Sequence, residues 1–341
     1  MRNSTLTFFA VGVAMFGSLF GGESKAAGSK NSNSACPGDF FLEADFLYWK
    51  MRQQGLDVFS RTAKSQGEVV VDGPNSVEEN QSKGQYHQVH FDWEPGFRIG
   101  AGYDFKDCKW ALSAFWTHLR GKGGSSHSHA KTHWSSSYNV LDLLVTGRPF
   151  HLGSSFTWKA FGGVKAAQIH QKFRASSVST RRSLDPFSIQ NVTLSTTDVK
   201  SKFHTDFIGI GPEIGVNGSW NLGRGFSVYA NADGAILYSR YHSKFTDEFD
   251  DLTTFLSDTD PTISNEFISE DVSRAASNTC QAVIDLGLGF SWQRYTCLCH
   301  HSVGWVVKLG WEHTQWFDFS SLGSNNDLTL DGLVVSGQIQ F

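Results

Sequence analysis

The stretch Phe40–Lys50, FFLEADFLYWK, decides the fold. Its even positions Phe40, Leu42, Ala44, Phe46 and Tyr48 are apolar, while Glu43 and Asp45 stand at odd ones. Successive side chains of a strand point to opposite faces, so this period of two describes a strand with one greasy and one ionisable face. The pattern repeats in Val89–Tyr103, where Val89, Phe91, Trp93, Pro95, Phe97, Ile99, Ala101 and Tyr103 oppose Asp92, Glu94, Arg98 and Gly100, with Asp104 following.

Further along, Trp110, Leu112, Ala114 and Trp116 form one face, and Phe156, Trp158, Ala160, Gly162 and Val164 oppose Lys159 and Lys165. Ile208, Ile210, Pro212, Ile214 and Val216 oppose Glu213; Phe226, Val228, Ala230, Ala232, Ile236 and Tyr238 oppose Asn231 and Asp233. Ala282–Trp292 puts Asp285 on its polar side, and Val303, Trp305, Val307, Leu309 and Trp311 oppose Lys308 and Glu312. The segment Trp134–Val145 is apolar on both faces, and Asp142 fits inward when Leu141, Leu143 and Val145 face lipid.

Soluble sandwiches alternate too. A narrow soluble core, however, has little room for 28 Phe, 11 Trp and 8 Tyr. A membrane barrel has room, because its aromatic residues face lipid while ionisable groups line the lumen. Tyr48-Trp49, Tyr103 and Trp110 stand near strand ends, as interfacial girdles require. The chain ends on Leu333, Val335, Gly337, Ile339 and Phe341, alternating to a terminal aromatic. With Ile339 and Phe341 this resembles the signal read by barrel-assembly machinery.

The intervals between ten such strands run long and short in turn: residues 52–86, 105–109, 119–133, 146–155, 171–200, 218–225, 241–281, 293–301 and 313–327. Long external loops, short periplasmic turns and both termini in the periplasm are the layout of an outer-membrane barrel. The expectation is an all-β, antiparallel up-and-down transmembrane barrel over 40–341, with about ten strands and up to fourteen if the longest loops hide hairpins.

The first residues read as a secretory signal. Arg2 is followed by an apolar run, Leu6–Phe20, and Ser24-Lys25-Ala26 offers a small-x-small cleavage site, giving a cleaved segment 1–26 and a periplasmic stretch 27–39. No later run is apolar enough for a membrane helix. A net charge of −4 gives no reason to expect nucleic acid as a partner. Outer-membrane lipid, the assembly machinery and small hydrophilic solutes are the expected partners, and no cofactor is implied.

The expected lumen carries Glu43, Asp45, Asp92, Glu94, Arg98, Asp104, Lys159, Lys165, Glu213, Asp233, Asp285, Lys308 and Glu312. Such a ladder either lines a hydrated path or fills the interior with charge pairs. Cys36, Cys108, Cys280, Cys297 and Cys299 are disulfide candidates within or between molecules, and their odd number leaves one over. Cys297-x-Cys299-His300-His301 has poor spacing for zinc, so no metal is expected there. His127, His129 and His133 read as solvated loop residues. His118, His204 and Asp206 near outer strand ends are the weak case for a barrel protease, and no catalytic motif supports it.

FFLEADFLYWKMRQQGLDV (Phe40–Val58), FDWEPGFRIGAGYDF (Phe91–Phe105), SYNVLDLLVTGRPF (Ser137–Phe150), KAFGGVKAAQI from Lys159 and FIGIGPEIGVNGSWNL from Phe207 resemble the pore-forming outer-membrane proteins of Legionella. They also resemble the major-outer-membrane-protein-like barrels of chlamydia-like bacteria. The resemblance implies a porin in the outer membrane of a Gram-negative cell, with no catalytic residues, and cross-linking to neighbours through cysteines. A pore for small solutes is therefore the main expectation. Its rival is a structural or adhesive surface barrel, for which the polar stretch Tyr241–Gln281, with Asp247, Glu248, Asp250 and Asp251, would serve as the binding loop.

Overall fold

The computed structural model describes residues 40–54, 56, 89–105, 110–127, 130–184, 192–256, 262–273, 277–298, 301–319 and 327–341. The chain divides into Met1–Cys36 and Pro37–Phe341, and every described residue belongs to the second part. The expected signal and the stretch 27–39 lie outside the described residues.

The strands are β1 (Phe40–Gln53), β2 (His90–Phe91), β3 (Trp93–Phe105), β4 (Trp110–His127), β5 (Ala130–Thr146), β6 (Phe150–Leu152) and β7 (Phe156–Leu184). They continue as β8 (Val192–Gly223), β9 (Phe226–Leu256), β10 (Thr262–Ser273), β11 (Ser277–Leu298), β12 (His301–Trp316) and β13 (Leu328–Gln340). Every pairing is antiparallel, and ten strands close a ring in the order β1, β3, β4, β5, β7, β8, β9, β11, β12, β13 and back to β1. The short β2 and β6 pair with β4 and β7, and β10 pairs with the far end of β9.

Closure fixes the geometry. From Phe40 the cross-strand partners are Tyr103, Leu112, Val145, Gly162, Ile214, Gly234, Ile284, Gln315 and Thr329, and the path returns to β1 at Arg52, twelve residues beyond its start. Ten strands with that stagger tilt by roughly 40° around a backbone cylinder of about 10 Å radius, given strand spacings near 4.8 Å and a rise near 3.3 Å per residue. Such a cylinder is narrow enough for side chains to fill.

The strands expected from sequence form the barrel, but they run further outward than expected. Residues 119–133, 171–200 and 241–281, read as loops, are largely strand: β4 and β5 extend to His127 and Ala130, β7 and β8 to Leu184 and Val192, and β9 to Leu256, with β10 within 241–281. The apolar outward face that marked each strand stops before the strand does. At the other end the connections are short. Between β8 and β9, Gly223, Arg224 and Gly225 all take positive φ (94°, 54° and 85°), and the Asn221 side chain accepts the Gly223 N–H at 2.8 Å. Glycine at two of the three positions makes that left-handed turn inexpensive.

Around the end of the ring nearest the termini runs an exposed apolar belt. Leu42, Phe46, Ile99, Leu143, Val164, Ile210, Ile214, Val216, Leu286, Leu288, Val307 and Leu309 all point outward. Along β8 the belt runs from Trp220 to Ile208, an axial height of about 30 Å at the tilt above, which matches the hydrocarbon core of a bilayer. Aromatic pairs edge it below, with Phe40 against Phe341 and Phe105 against Trp110, and above, with Tyr48 on Trp93, Trp93 on Trp311 and Phe97 on Trp116. One expectation is corrected here: Tyr48 belongs to the upper girdle, but its neighbour Trp49 points into the barrel and is 2% exposed. The alternation that turns Tyr48 out turns Trp49 in.

Candidate functional site in the barrel interior

At the level of the belt the interior is ionic. Inward positions on β1, β3, β5, β7, β8, β9, β11 and β12 bring Glu43, Asp45, Arg98, Asp142, Lys165, Glu213, Asp233, Asp285, Lys308 and Glu312 together. The Arg98 guanidinium grips Glu312 with two nitrogens, at 3.1 and 2.7 Å, and lies 3.3 Å from Asp45. Its Nε donates to Thr117 at 3.2 Å, and its carbon lies 5.8 Å from the centre of the Trp49 ring. Such a fork fixes direction as well as charge.

Lys165 is the hub of a second group. Its Nζ is 2.8 Å from Asp285, 3.2 Å from Asp142 and from Glu213, and 3.9 Å from Asp233. Thr314 donates to Asp285. A third group pairs Lys308 with Glu43 at 2.6 Å, and Ser336 donates to Glu43 at 2.9 Å and to Asp45. Partnering offsets the large desolvation cost of placing these charges inside a protein.

Below these groups lies a cavity of about 500 Å³, which reaches Thr157, Lys159, Ser219, Ser291, Gln338 and Gln340 at the end nearest the termini. Ten of the lumen residues read from sequence line it: Glu43, Asp45, Arg98, Lys159, Lys165, Glu213, Asp233, Asp285, Lys308 and Glu312. Three do not. Asp92 is exposed at the outer end, where its N–H meets the Lys122 carbonyl; Glu94 sits at the same rim 3.6 Å from Lys122; and Asp104 is exposed at the opposite end of β3. Asp142, noted in sequence only as compatible with an inward face, is part of the Lys165 group. The cavity thus holds seven carboxylates (Glu43, Asp45, Asp142, Glu213, Asp233, Asp285, Glu312) against four cations, Arg98, Lys159, Lys165 and Lys308.

Above the ions the same inward positions turn apolar. Trp134, Trp316, Phe173, Phe207, Phe319, Leu47, Met51, Leu119, Ile169, Leu237, Leu328 and Leu330 are each under 2% exposed. Trp316 meets Tyr138, Phe207 and Phe319 edge-on at 6.0, 5.6 and 5.8 Å. Within the layer Gln171 donates to Gln53 at 3.0 Å, and the Tyr241 hydroxyl donates to Gln281 at 2.6 Å. This layer was not read from sequence, although Trp134–Val145, apolar on both faces, was its trace. Tyr138 and Val140 face the layer while Leu143 and Val145 face the belt.

The remaining candidates fall elsewhere. Asp206 lies on the outer surface, 2.5 Å from His170 and 3.2 Å from His204, and His118 meets Asn139 at 2.7 Å beside Phe97 and Trp116. None of them faces the interior. His133 is exposed. Cys280 is an exposed free thiol on β11. Cys36, Cys108, Cys299, His129 and His300 lie outside the described residues, as do the side chains of His127, Cys297 and His301. Phe341 closes the ring edge, donating its N–H to the Phe40 carbonyl at 2.9 Å.

Residues 36–341 match the family model of the Legionella pneumophila major outer membrane protein precursor. No curated protein matches the chain. Among solved structures, the chain is similar to the outer membrane protease OmpT of Escherichia coli, at 8% identity over 91% of this chain and 99% of that one, with a TM-score of 0.35. It is also similar to the toluene transporter TodX of P. putida, at 10% identity over 90% and 91% of the two chains, with a TM-score of 0.29. At those scores neither activity transfers to this chain.

Proposed function

This chain belongs to the family of the Legionella pneumophila major outer membrane protein, an outer-membrane β-barrel family, and from that premise we propose that it is a narrow, cation-preferring pore for small hydrophilic solutes. The observation that carries the reading is the charged cavity inside the ring, open toward the end that holds the termini and dominated by carboxylates. Solutes would move down their own gradients, and the ion groups would set which charge passes. The aromatic layer is the constriction on this path, so openings are expected to be small and infrequent.

That same layer favours a second reading, a structural or adhesive surface barrel. Side chains at 0–2% exposure pack the outer half as they pack a soluble core, and the tall wall of β7, β8, β9 and β10 would present the chain to the outside. Refolded protein in a planar bilayer separates the two. Under a potassium chloride gradient, stepwise openings whose reversal potential shows cation preference support the pore. Trp316→Ala, which thins the constriction, should then raise unit conductance. Silence from both proteins, with insertion verified by heat-modifiable gel migration, supports the surface barrel.

A further inference from the structure

Just beyond the upper edge of the apolar belt, the outward faces of β4, β5, β7, β8 and β9 become basic. In successive register rows stand Arg240 on β9; then Arg120, His170 and His242; then Lys122, Lys172, His204 and Lys244; then His133, Arg174 and Lys202. Each row lies about 5 Å above the last at the strand tilt. The patch therefore begins at the upper edge of the belt and rises away from it.

Its internal arrangement sets basic side chains opposite one another across the strands. Lys172 is directly opposite His204, which is directly opposite Lys244; Arg174 is directly opposite Lys202 and, on its other side, His133. Arg174 and Lys202 are like charges in facing positions, which destabilise a sheet. Nearby acids hold some of the side chains in these rows. Asp206 serves His170 and His204, Glu248 pairs with Lys202, and Glu94 lies 3.6 Å from Lys122. Among the described residues Arg120, Lys172, Arg174 and Arg240 have no ion-pair partner, although all four are exposed. Half-buried Ser135 and Ser137 stand between the cations of β4 and β7 and add hydroxyl donors.

The basic face is one-sided. Among the described residues the last outward positions of β11 and β12 toward that end are Asn278, Cys280, His313 and Gln315, and Arg52 of β1 is already held by Asp331 at 3.5 Å. We propose that the outward face of β4, β5, β7, β8 and β9 binds the phosphates of a phosphorylated glycolipid whose acyl chains lie against the belt below. Charge complementarity selects phosphate. Continuity of the patch with the apolar belt, at a spacing set by the strand tilt, selects a lipid over a soluble anion. The inference needs a chain inserted in a membrane and is independent of whether the lumen conducts.

The test uses the full chain refolded into phosphatidylcholine vesicles containing bisphosphorylated lipid A or its dephosphorylated form. The unfolding midpoint in urea should rise with the phosphorylated lipid only, and the rise should shrink in high salt. In the combined variant Lys172→Gln, Arg174→Gln, Lys202→Gln and Lys244→Gln, the apparent affinity for that lipid should fall roughly tenfold or more. Lys50→Gln, outside the patch, should leave it unchanged, and heat-modifiable migration verifies that each variant has folded. Equal stabilisation by both lipids, an unchanged affinity in the combined variant, or the same stabilisation by inorganic phosphate alone would overturn the proposal.

Discussion

Along β9 the outward side chains run Phe226, Val228, Ala230, Ala232, Ile236 and Tyr238, and then Arg240, His242 and Lys244. The inward ones run Ser227, Tyr229, Asn231 and Asp233, and then Ala235, Leu237 and Tyr241. One strand therefore has two opposite polarities. Its lower part is apolar outside and ionic inside, and its upper part is charged outside and apolar inside. The switch comes at nearly the same height on both faces, which a single change of surroundings from hydrocarbon to water explains. Where the outside is lipid, hydrophobicity gives no drive to fill the lumen, and charge networks hold it. Where the outside is water, the interior can close like a soluble core.

The largest expected effect tests the lower region. Lys165→Met removes the one ammonium among four carboxylates and should destabilise by about 3–5 kcal/mol, since it leaves buried charges uncompensated. Urea unfolding in vesicles measures this, and a loss under about 1 kcal/mol would mean that the group is freely hydrated.

In the upper region, Trp316→Ala should cost about 3–5 kcal/mol, the transfer and cavity loss of a soluble core. Trp311→Ala, on the outward face only five residues away, should cost less, because acyl chains refill the gap. Equal losses at the two tryptophans would erase the distinction between the regions.

A third pair of substitutions sharpens the boundary on the outward face of β11. Leu288→Lys, in the belt and 60% exposed, should cost about 2–4 kcal/mol, whereas Asn278→Lys, above it, should cost about 0–1 kcal/mol. The smallest effect is expected at Arg52, whose pairing with Asp331 is open to solvent on the arginine side. Arg52→Gln should change stability by less than about 1 kcal/mol, and a larger loss would show that the rim is drier than its exposure suggests.

The lower region was legible in sequence for the reason that makes it distinctive. In Phe40–Tyr48 or Ile208–Val216 every outward residue is apolar, so a period of two is enough to find the strand and orient Glu43, Asp45 or Glu213. The turn at 224–225 is short because β8 and β9 end together there. The upper region obeys the same period with the faces exchanged. Ile169 and Phe173 occupy the parity of Lys165, and His170 and Lys172 that of Val164. A reading that looks for lipid-facing residues loses the strand at that point and reports a loop. Which carboxylates gather on Lys165 was not legible, because the stagger that brings β5, β8, β9 and β11 to one height is a property of the closed ring.

The account depends on the outward face changing from hydrocarbon to water between Tyr238 and His242. Spin labels placed singly at Val228, Ile236 and His242, with the native cysteines replaced by serine, measure this directly through their accessibility to oxygen and to a water-soluble nickel chelate in vesicles. Oxygen should dominate at Val228 and Ile236, and the nickel chelate at His242. Nickel access at Ile236 equal to that at His242, or oxygen dominance at all three, would contradict the account.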